Sequence, residues 1–235
     1  GIRDVAVTGV QTCALPISGD ALTSIGGALD GRPVAVIAVD TVLRGARLDA
    51  QRAAFEASDA VAWLPLHPTD RPQQMGIAQV EGDRLTHLEE KPREPRSNLA
   101  CVGVWLLRPE VVERLRRAPV INPKGESDLT ATIGAMLDEG CPVGGGEFSG
   151  DWLDCGSIAG LIHAQPVLLR HHRDQRALHA HEDRAEVRGS RLQGPVLLGA
   201  SVRIEDSDLG PGVVVCDGRS EEHTSELQSR LHLVC

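Results

Sequence analysis

Short apolar runs rich in β-branched residues alternate with stretches of helical spacing through the middle of the chain, and this alternation leaves few architectures open. Val34 to Val39 is bounded by Gly-Arg-Pro before and Asp-Thr after, and reads as a buried parallel strand. Leu48 to Ala57 has helical spacing, Ala60 to Leu66 reads as a strand closed by Pro65 and Pro68, and His67 to Gln74 is a polar, proline-rich surface loop. Ile77 to Val80 and Arg84 to Leu88 flank Glu81-Gly82-Asp83 as a hairpin. Ala100 to Leu107 is a further strand, and Pro109 opens a helix to about Arg117 from the first-turn position that proline favours. A helix capped by Ser127 runs to Glu139 and ends at Gly140. Val143 to Phe148 leads to a turn at Asp151 to Ser157, and another helix continues to about His172. Strands and helices in this order predict an α/β, Rossmann-like sheet.

After about Arg184 the texture changes. Val187-Arg188-Gly189, Leu192-Gln193-Gly194, Val196-Leu197-Leu198-Gly199, Val202-Arg203-Ile204 and Leu209-Gly210-Pro211-Gly212 recur with a period near six. Hydrophobic-Gly steps of this kind mark the stacked coils of a left-handed parallel β-helix. Only a coil or two is visible, which predicts a truncated domain over residues 185–218.

Formal net charge is −9 and the arginines are scattered rather than striped, which argues against a nucleic-acid partner. No apolar run approaches the roughly 20 residues needed to span a bilayer. Six cysteines without CxxC spacing suit free thiols in a reducing, cytoplasmic compartment. With no tyrosine and little Phe or Trp, the core must rest on Val, Leu, Ile and Ala. His171, His172, His179 and His181 lie in an Arg/Asp/Glu-rich connector, where a solvated helix is expected rather than a zinc site. Gly144-Gly145-Gly146 lacks the lysine and the strand-to-helix context of a phosphate loop and reads as a turn.

Chemistry concentrates in Met75 to Trp105. The chain holds only two lysines, Lys91 and Lys124, among 24 cationic side chains. One of them stands in Glu89-Glu90-Lys91-Pro92, where Pro92 is expected to push Lys91 toward extended geometry. A compact ammonium differs chemically from the arginine fork used elsewhere in the chain. A carboxylate and an ammonium are thereby set side by side at a strand end, where α/β sheets place their ligands.

Several segments together resemble the sugar-1-phosphate nucleotidyltransferases, above all the long-form glucose-1-phosphate thymidylyltransferases. They are Met75-Gly76-Ile77, Glu90-Lys91-Pro92, Ser97-Asn98-Leu99-Ala100, Cys101-Val102-Gly103-Val104, Asp151-Trp152-Leu153-Asp154-Cys155-Gly156-Ser157 and Val36-Ile37-Ala38-Val39-Asp40-Thr41. The resemblance covers roughly Gly19 to Gly218. It implies a nucleotide-diphospho-sugar-transferase-like sheet over residues 19–175 followed by a β-helix. It also implies Mg²⁺ as cofactor and attack of a sugar-1-phosphate on the α-phosphorus of a nucleoside triphosphate, dTTP with glucose-1-phosphate in the favoured case. Guanylyl or uridylyl transfer to mannose- or glucose-1-phosphate, a non-catalytic sugar-nucleotide-binding relative, and a homo-oligomeric assembly are all compatible with it.

By the same resemblance Asp40 and Asp154 are metal ligands; otherwise each would be a helix N-cap. Lys91 contacts the sugar phosphate and Glu90 accepts from sugar hydroxyls. At Gly76 and Cys101 the main chain approaches the sugar, although Gly76 could equally mark a bulge. Glu126, in Gly125-Glu126-Ser127-Asp128-Leu129-Thr130, lies near the sugar or merely favours the start of its helix. The chain departs from the family at Val39 and Thr41, which replace Gly and Asn, at Ala131, which replaces Asp, and at Met75, which replaces an aromatic.

The ends read differently. Arg219-Ser220-Glu221-Glu222-His223-Thr224-Ser225-Glu226-Leu227-Gln228-Ser229 is the translation of a widely used sequencing adapter, and Val7 to Ile17 is the translation of its reverse strand. Residues 1–18 and 219–235 are therefore expected to lie outside the fold. The family's glycine-rich nucleotide loop is absent from the sequence, and the chain by itself is expected to be inactive.

Overall fold

The computed structural model describes residues 18–25, 31–45, 47–174, 185–194, 196–217 and 220–221. The adapter-like Val7 to Ile17, most of Arg219 to Ser229, and His179 and His181 lie outside the described residues, as do the side chains of His171 and His172. The chain divides into two units, residues 1–39 with 44–151, and residues 40–43 with 152–235.

The helices are α1 (Ser18–Ser24), α2 (Leu48–Ala57), α3 (Pro109–Arg117), α4 (Leu129–Asp138) and α5 (Ile158–Asp174). Up to α5 the strands are β1 (Val34–Ile37), β2 (Thr41–Arg44), β3 (Ala62–Pro68), β4 (Gly76–Glu81), β5 (Arg84–Glu90), β6 (Leu99–Cys101), β7 (Val104–Leu107), β8 (Val120–Ile121), β9 (Ser127–Asp128), β10 (Val143–Glu147) and β11 (Asp151–Asp154). After α5 come β12 (Glu186–Arg188), β13 (Arg191–Leu192), β14 (Val196–Leu198), β15 (Arg203–Glu205), β16 (Asp208–Leu209), β17 (Val213–Val215) and β18 (Ser220–Glu221).

The first unit is built on a seven-stranded sheet in the order β1-β7-β3-β10-β5-β4-β6, with β6 also bonded to β3. The sheet is mixed rather than parallel. β3 and β10 run parallel, whereas β4 with β5 and β1 with β7 run antiparallel. The reason is local: β4 and β5 are joined by two residues, Gly82 at φ +66° and Asp83, and such a short connection can only reverse the chain. β1 is likewise not a buried parallel strand. It bonds antiparallel to β7, its residues alternate between half-buried and exposed, and Val39 beyond it is fully exposed. The expected strand from Ala100 to Leu107 is two strands, broken at Val102-Gly103 where Gly103 adopts φ +73°.

That break explains how Pro65 sits inside β3 rather than closing it. β3 bonds β7 through Ala62 and Trp63 and β6 through Leu66 to Pro68. Pro65 falls at the hand-over, where its missing N–H leaves no ladder partner unserved. Its carbonyl still accepts from Val102 N at 3.4 Å.

The glycine triplet is a strand, not a turn. β10 lies alongside β3 with Gly144 opposite Trp63, Gly145 opposite Leu64 and Gly146 opposite Pro65. A Cβ at Gly144 would fall 2.4 Å from the Trp63 ring, and one at Gly145 would fall 2.7 Å from the Leu64 carbonyl oxygen. Only glycine lets β10 come this close.

The core packs α3 and α4 onto this sheet. Leu64, Leu66 and Leu107 from the strands meet Val111 and Leu115 of α3 and Leu129 and Ile133 of α4, all buried, with Leu22 of α1. Gly134 brings α4 against the Leu88 carbonyl, where a Cβ would be 2.9 Å from the oxygen. The cap of α4 is Asp128, whose carboxylate accepts from Ala131 N at 2.9 Å, and not Ser127, which belongs to β9.

In the second unit β2 pairs with β11, and the strands after α5 stack in parallel. Glu186 pairs with Arg203, Arg191 with Asp208, Val196 with Val213 and Arg203 with Ser220, each partner 17 residues on. Three short faces per coil give the observed six-residue texture. Gly189 and Asp206, also 17 apart, both adopt left-handed backbone at φ +59° and +46°. Leu198, Val202, Ile204, Leu209 and Val215 fill the coil. Gln165 of α5 donates from Nε2 to the Gly212 carbonyl at 2.7 Å. Ser220 and Glu221, at the head of the adapter-like stretch, add to β15.

Candidate functional site

The predicted residues gather into two groups, one in each unit. In the first unit the β4–β5 hairpin carries Gly76 opposite Glu90, so the two predicted sugar-contacting positions are cross-strand neighbours. A Cβ at Gly76 would lie 2.8 Å from Glu90 Oε2, 3.0 Å from Thr130 Cγ2 and 3.8 Å from Cys101 Sγ. Gly76 thus keeps open a cradle walled by β5, β6 and α4, and it sits in regular pairing rather than at a bulge, which falls instead between Gln79 and Val80. Burial of the Glu90 carboxyl raises its pKa above the ordinary value; the adjacent Lys91 opposes this and Asp128 adds to it. The Cys101 thiol is buried, and that burial, with Glu90 nearby, raises its pKa far above the usual thiol range. Cys101 is therefore a neutral wall, not a nucleophile.

Lys91 is not extended. Its φ is +49°, in the left-handed region, and its N–H donates to the Met75 carbonyl at 2.9 Å. That bond closes the open end of the hairpin and overrides the preference set by Pro92. The Lys91 ammonium turns back onto Glu90, with Nζ 3.3 Å from Oε1. A non-glycine residue held at positive φ is costly, and such residues concentrate at functional sites.

Glu126 is held by its own turn. It lies in the turn between β8 and β9, where Asn122 Nδ2 donates to its Oε2 at 3.0 Å and Asn122 Oδ1 accepts from its backbone N–H at 3.1 Å. The α4 groups beside Glu90 are Thr130 and Asp128, neither of which was singled out from the sequence. Their signal was the cap position itself, since the first turn of a helix that begins beside a sheet faces the sheet.

In the second unit Asp40 and Asp154 are brought together as expected, but by different elements. Asp40 lies in the turn before β2 and Asp154 ends β11, so the pairing of these two short strands, not the main sheet, aligns them. Cys155 N donates to the Asp40 carbonyl at 2.8 Å, and Gly156 N donates to Asp154 Oδ1 at 3.0 Å. A Cβ at Gly156 would sit 2.6 Å from Asp40 Oδ2 and 3.2 Å from Asp154 Oδ1. Both carboxylates therefore flank one point that only glycine leaves clear. The Cys155 thiol pKa is raised, by burial first and then by Asp154 and Asp40 together. Two hard oxygens side by side suit Mg²⁺, which takes one or two carboxylates and fills the rest of its shell with water and phosphate oxygens. Among the described residues no set of three or more His, Cys, Asp or Glu side chains forms a self-sufficient metal cage. A groove of about 350 Å³ lined by Arg32, Pro109, Glu110, Glu113 and Arg116 includes none of the predicted residues.

Comparison with known proteins places the chain in a family. Residues 19–171 match the nucleotidyl transferase family. The chain is 33% identical over 168 residues to a glucose-1-phosphate thymidylyltransferase of Streptomyces antibioticus, covering 66% of this chain and 46% of the relative. It is 31% identical over 171 residues to the Streptomyces griseus enzyme of that name, covering 67% and 47%. The chain thus spans about half the length of these relatives. In fold it is similar to an apo UDP-glucose pyrophosphorylase, with TM-score 0.60 and 19% identity over 67% of this chain and 62% of that one. It is also similar to the UDP-glucose pyrophosphorylase of Acinetobacter baumannii, with TM-score 0.57 and 23% identity over 72% and 59%. With the ordered motifs, the glycine-cleared carboxylate pair and a family match over most of its length, the chain belongs to the sugar-1-phosphate nucleotidyltransferases.

Proposed function

We propose that the protein transfers a nucleotidyl group to a sugar-1-phosphate, with glucose-1-phosphate and dTTP as substrates and dTDP-glucose and pyrophosphate as products. A phosphate oxygen of the sugar forms a bond to the α-phosphorus, and the bond from that phosphorus to the β-phosphate bridge breaks, releasing pyrophosphate. The observation that carries the reading is the placement of Asp40 and Asp154 on either side of Gly156. These two carboxylates would hold Mg²⁺, which when bound would neutralise phosphate charge. Lys91 holds the sugar phosphate as a point charge. Glu90 accepts from sugar hydroxyls, Gly76 and the main chain at Cys101 let the sugar approach, and Glu126 contributes beside them. The protein's work is positioning and charge neutralisation rather than covalent catalysis.

The dTTP preference rests on the two Streptomyces relatives. We further read the 17-residue coils as the start of a left-handed hexapeptide β-helix, and the protein as cytoplasmic. The test is pyrophosphate release from glucose-1-phosphate with dTTP, UTP, GTP or ATP, run on this chain and on the uninterrupted reading frame that contains it. Turnover with dTTP that is lost in Asp154→Asn supports the reading. No turnover with any nucleotide overturns it.

A further inference from the structure

The Lys91 ammonium is engaged by the carboxylate next to it in the chain. Its Nζ lies 3.3 Å from Glu90 Oε1, and the left-handed backbone at Lys91, tied to Met75, turns the ammonium onto that carboxylate. The two partners are unequally placed. The Lys91 side chain is 65% exposed, whereas Glu90 is 29% exposed and shares the space at Gly76 with Thr130 and Cys101. Among the described residues, the groups set around Glu90 or the space at Gly76 beside it are the Lys91 ammonium, the Asp128 carboxylate from the start of α4, the neutral Cys101 thiol from β6 and the Thr130 methyl from α4. Lys91 is the one cation among them. An ammonium that moves to a phosphate leaves Glu90 facing Asp128 and a newly arrived anion.

We propose that the Glu90–Lys91 pair is an exchange device: the sugar phosphate takes the Lys91 ammonium from Glu90, and Glu90 takes up a proton as the ligand binds. This deepens the sugar-phosphate reading and rests on it. A protonated Glu90 becomes a hydrogen-bond donor as well as an acceptor toward a sugar hydroxyl. Burial already raises the carboxyl's pKa against the opposing effect of Lys91, so removing Lys91 acts in the direction of protonation. Affinity for the sugar phosphate therefore falls as pH rises through the ligand-bound titration of Glu90.

Two measurements on the full chain decide the matter. The first is calorimetric titration with glucose-1-phosphate in buffers of different ionisation enthalpy, comparing the native chain with Glu90→Gln. Inorganic phosphate, which engages Lys91 without the sugar contacts, is the second probe. The ligand's own ionisation near about pH 6 contributes alike to both proteins. Uptake of a fraction of a proton by the native chain beyond that of the variant is expected, and equal uptake overturns the exchange. The second follows the Glu90 carboxyl carbon by NMR in the free protein. Lys91→Met should move its titration upward, and an unmoved titration overturns the ion pair. If neither probe binds the native chain, the sugar-phosphate reading fails, and the NMR titration still decides whether the pair exists.

Discussion

Gly156→Ala separates the proposed metal role of Asp40 and Asp154 from any contribution they make to stability. The added methyl would stand 2.6 Å from Asp40 Oδ2 and 3.2 Å from Asp154 Oδ1. A carbon and an oxygen in contact rest more than 3 Å apart, so the Asp40 oxygen must withdraw by roughly 0.5 Å or more. Both atoms in the way are the terminal oxygens of side chains, not backbone. The fold can therefore absorb the change, and stability should move by no more than about 1 kcal/mol, part of it offset by the smaller entropy of an alanine in the unfolded chain. Mg²⁺ is less forgiving, because it holds its ligands near about 2.1 Å in octahedral geometry. Displacing one carboxylate by half an ångström should weaken divalent-cation binding about 10- to 100-fold, the scale seen when the groups that orient metal ligands are altered. Mn²⁺ binding followed by electron paramagnetic resonance, with nucleoside triphosphate present, reads this directly, with thermal unfolding as the parallel measurement. Unchanged Mn²⁺ affinity in a folded Gly156→Ala protein would refute the metal role of the pair.

Lys91→Gly should be more thermostable than Lys91→Ala, by about 1 kcal/mol, because both lose the ammonium but only glycine relieves the left-handed backbone; melting temperatures in the same buffer check the order. Gly145→Val should destabilise the first unit by roughly 3 kcal/mol or more, since even its Cβ meets the Leu64 carbonyl oxygen and Leu85 Cδ1 at 2.7 Å, and urea unfolding measures the loss. Glu90→Gln should stabilise the protein near neutral pH but not in acid. The folded-state pKa of Glu90 is raised by burial, so the stability this carboxyl contributes is present below its unfolded pKa and is lost as pH rises through the folded one. Unfolding midpoints of the two proteins should converge toward low pH, and a constant gap would contradict the burial argument.

The parts legible in the sequence were those fixed by near neighbours in the chain. The β4–β5 hairpin followed from Gly82 between two alternating runs, and α3 began at Pro109 as its first-turn preference dictates. The expected convergence of Asp40 and Asp154 also holds, although the strands that accomplish it, β2 and β11, are only four residues each and leave little periodicity to detect. What escaped depends on distant partners. Gly144 to Gly146 form a strand because Trp63 and Leu64, some 80 residues earlier, fill the space that side chains would need. Lys91 turns left-handed because Met75 offers it a carbonyl across the hairpin, a contact that outweighs the local influence of Pro92. Asp128 rather than Ser127 caps the helix because its carboxylate is the one that reaches Ala131 N, while Ser127 pairs with Ile121 of β8.

The stacked strands after α5 keep a constant offset of 17 residues across four separate ladders. That constancy behaves as a reading frame written in space. Inserting or deleting one residue between Glu186 and Glu221 would slide out of register each strand pair that spans the change and turn inward-facing side chains out. Adding a whole 17-residue coil would leave all registers intact and lengthen the stack by about 4.8 Å. Length can thus change here only in quanta, and a change at one position is felt first by the residue one coil away.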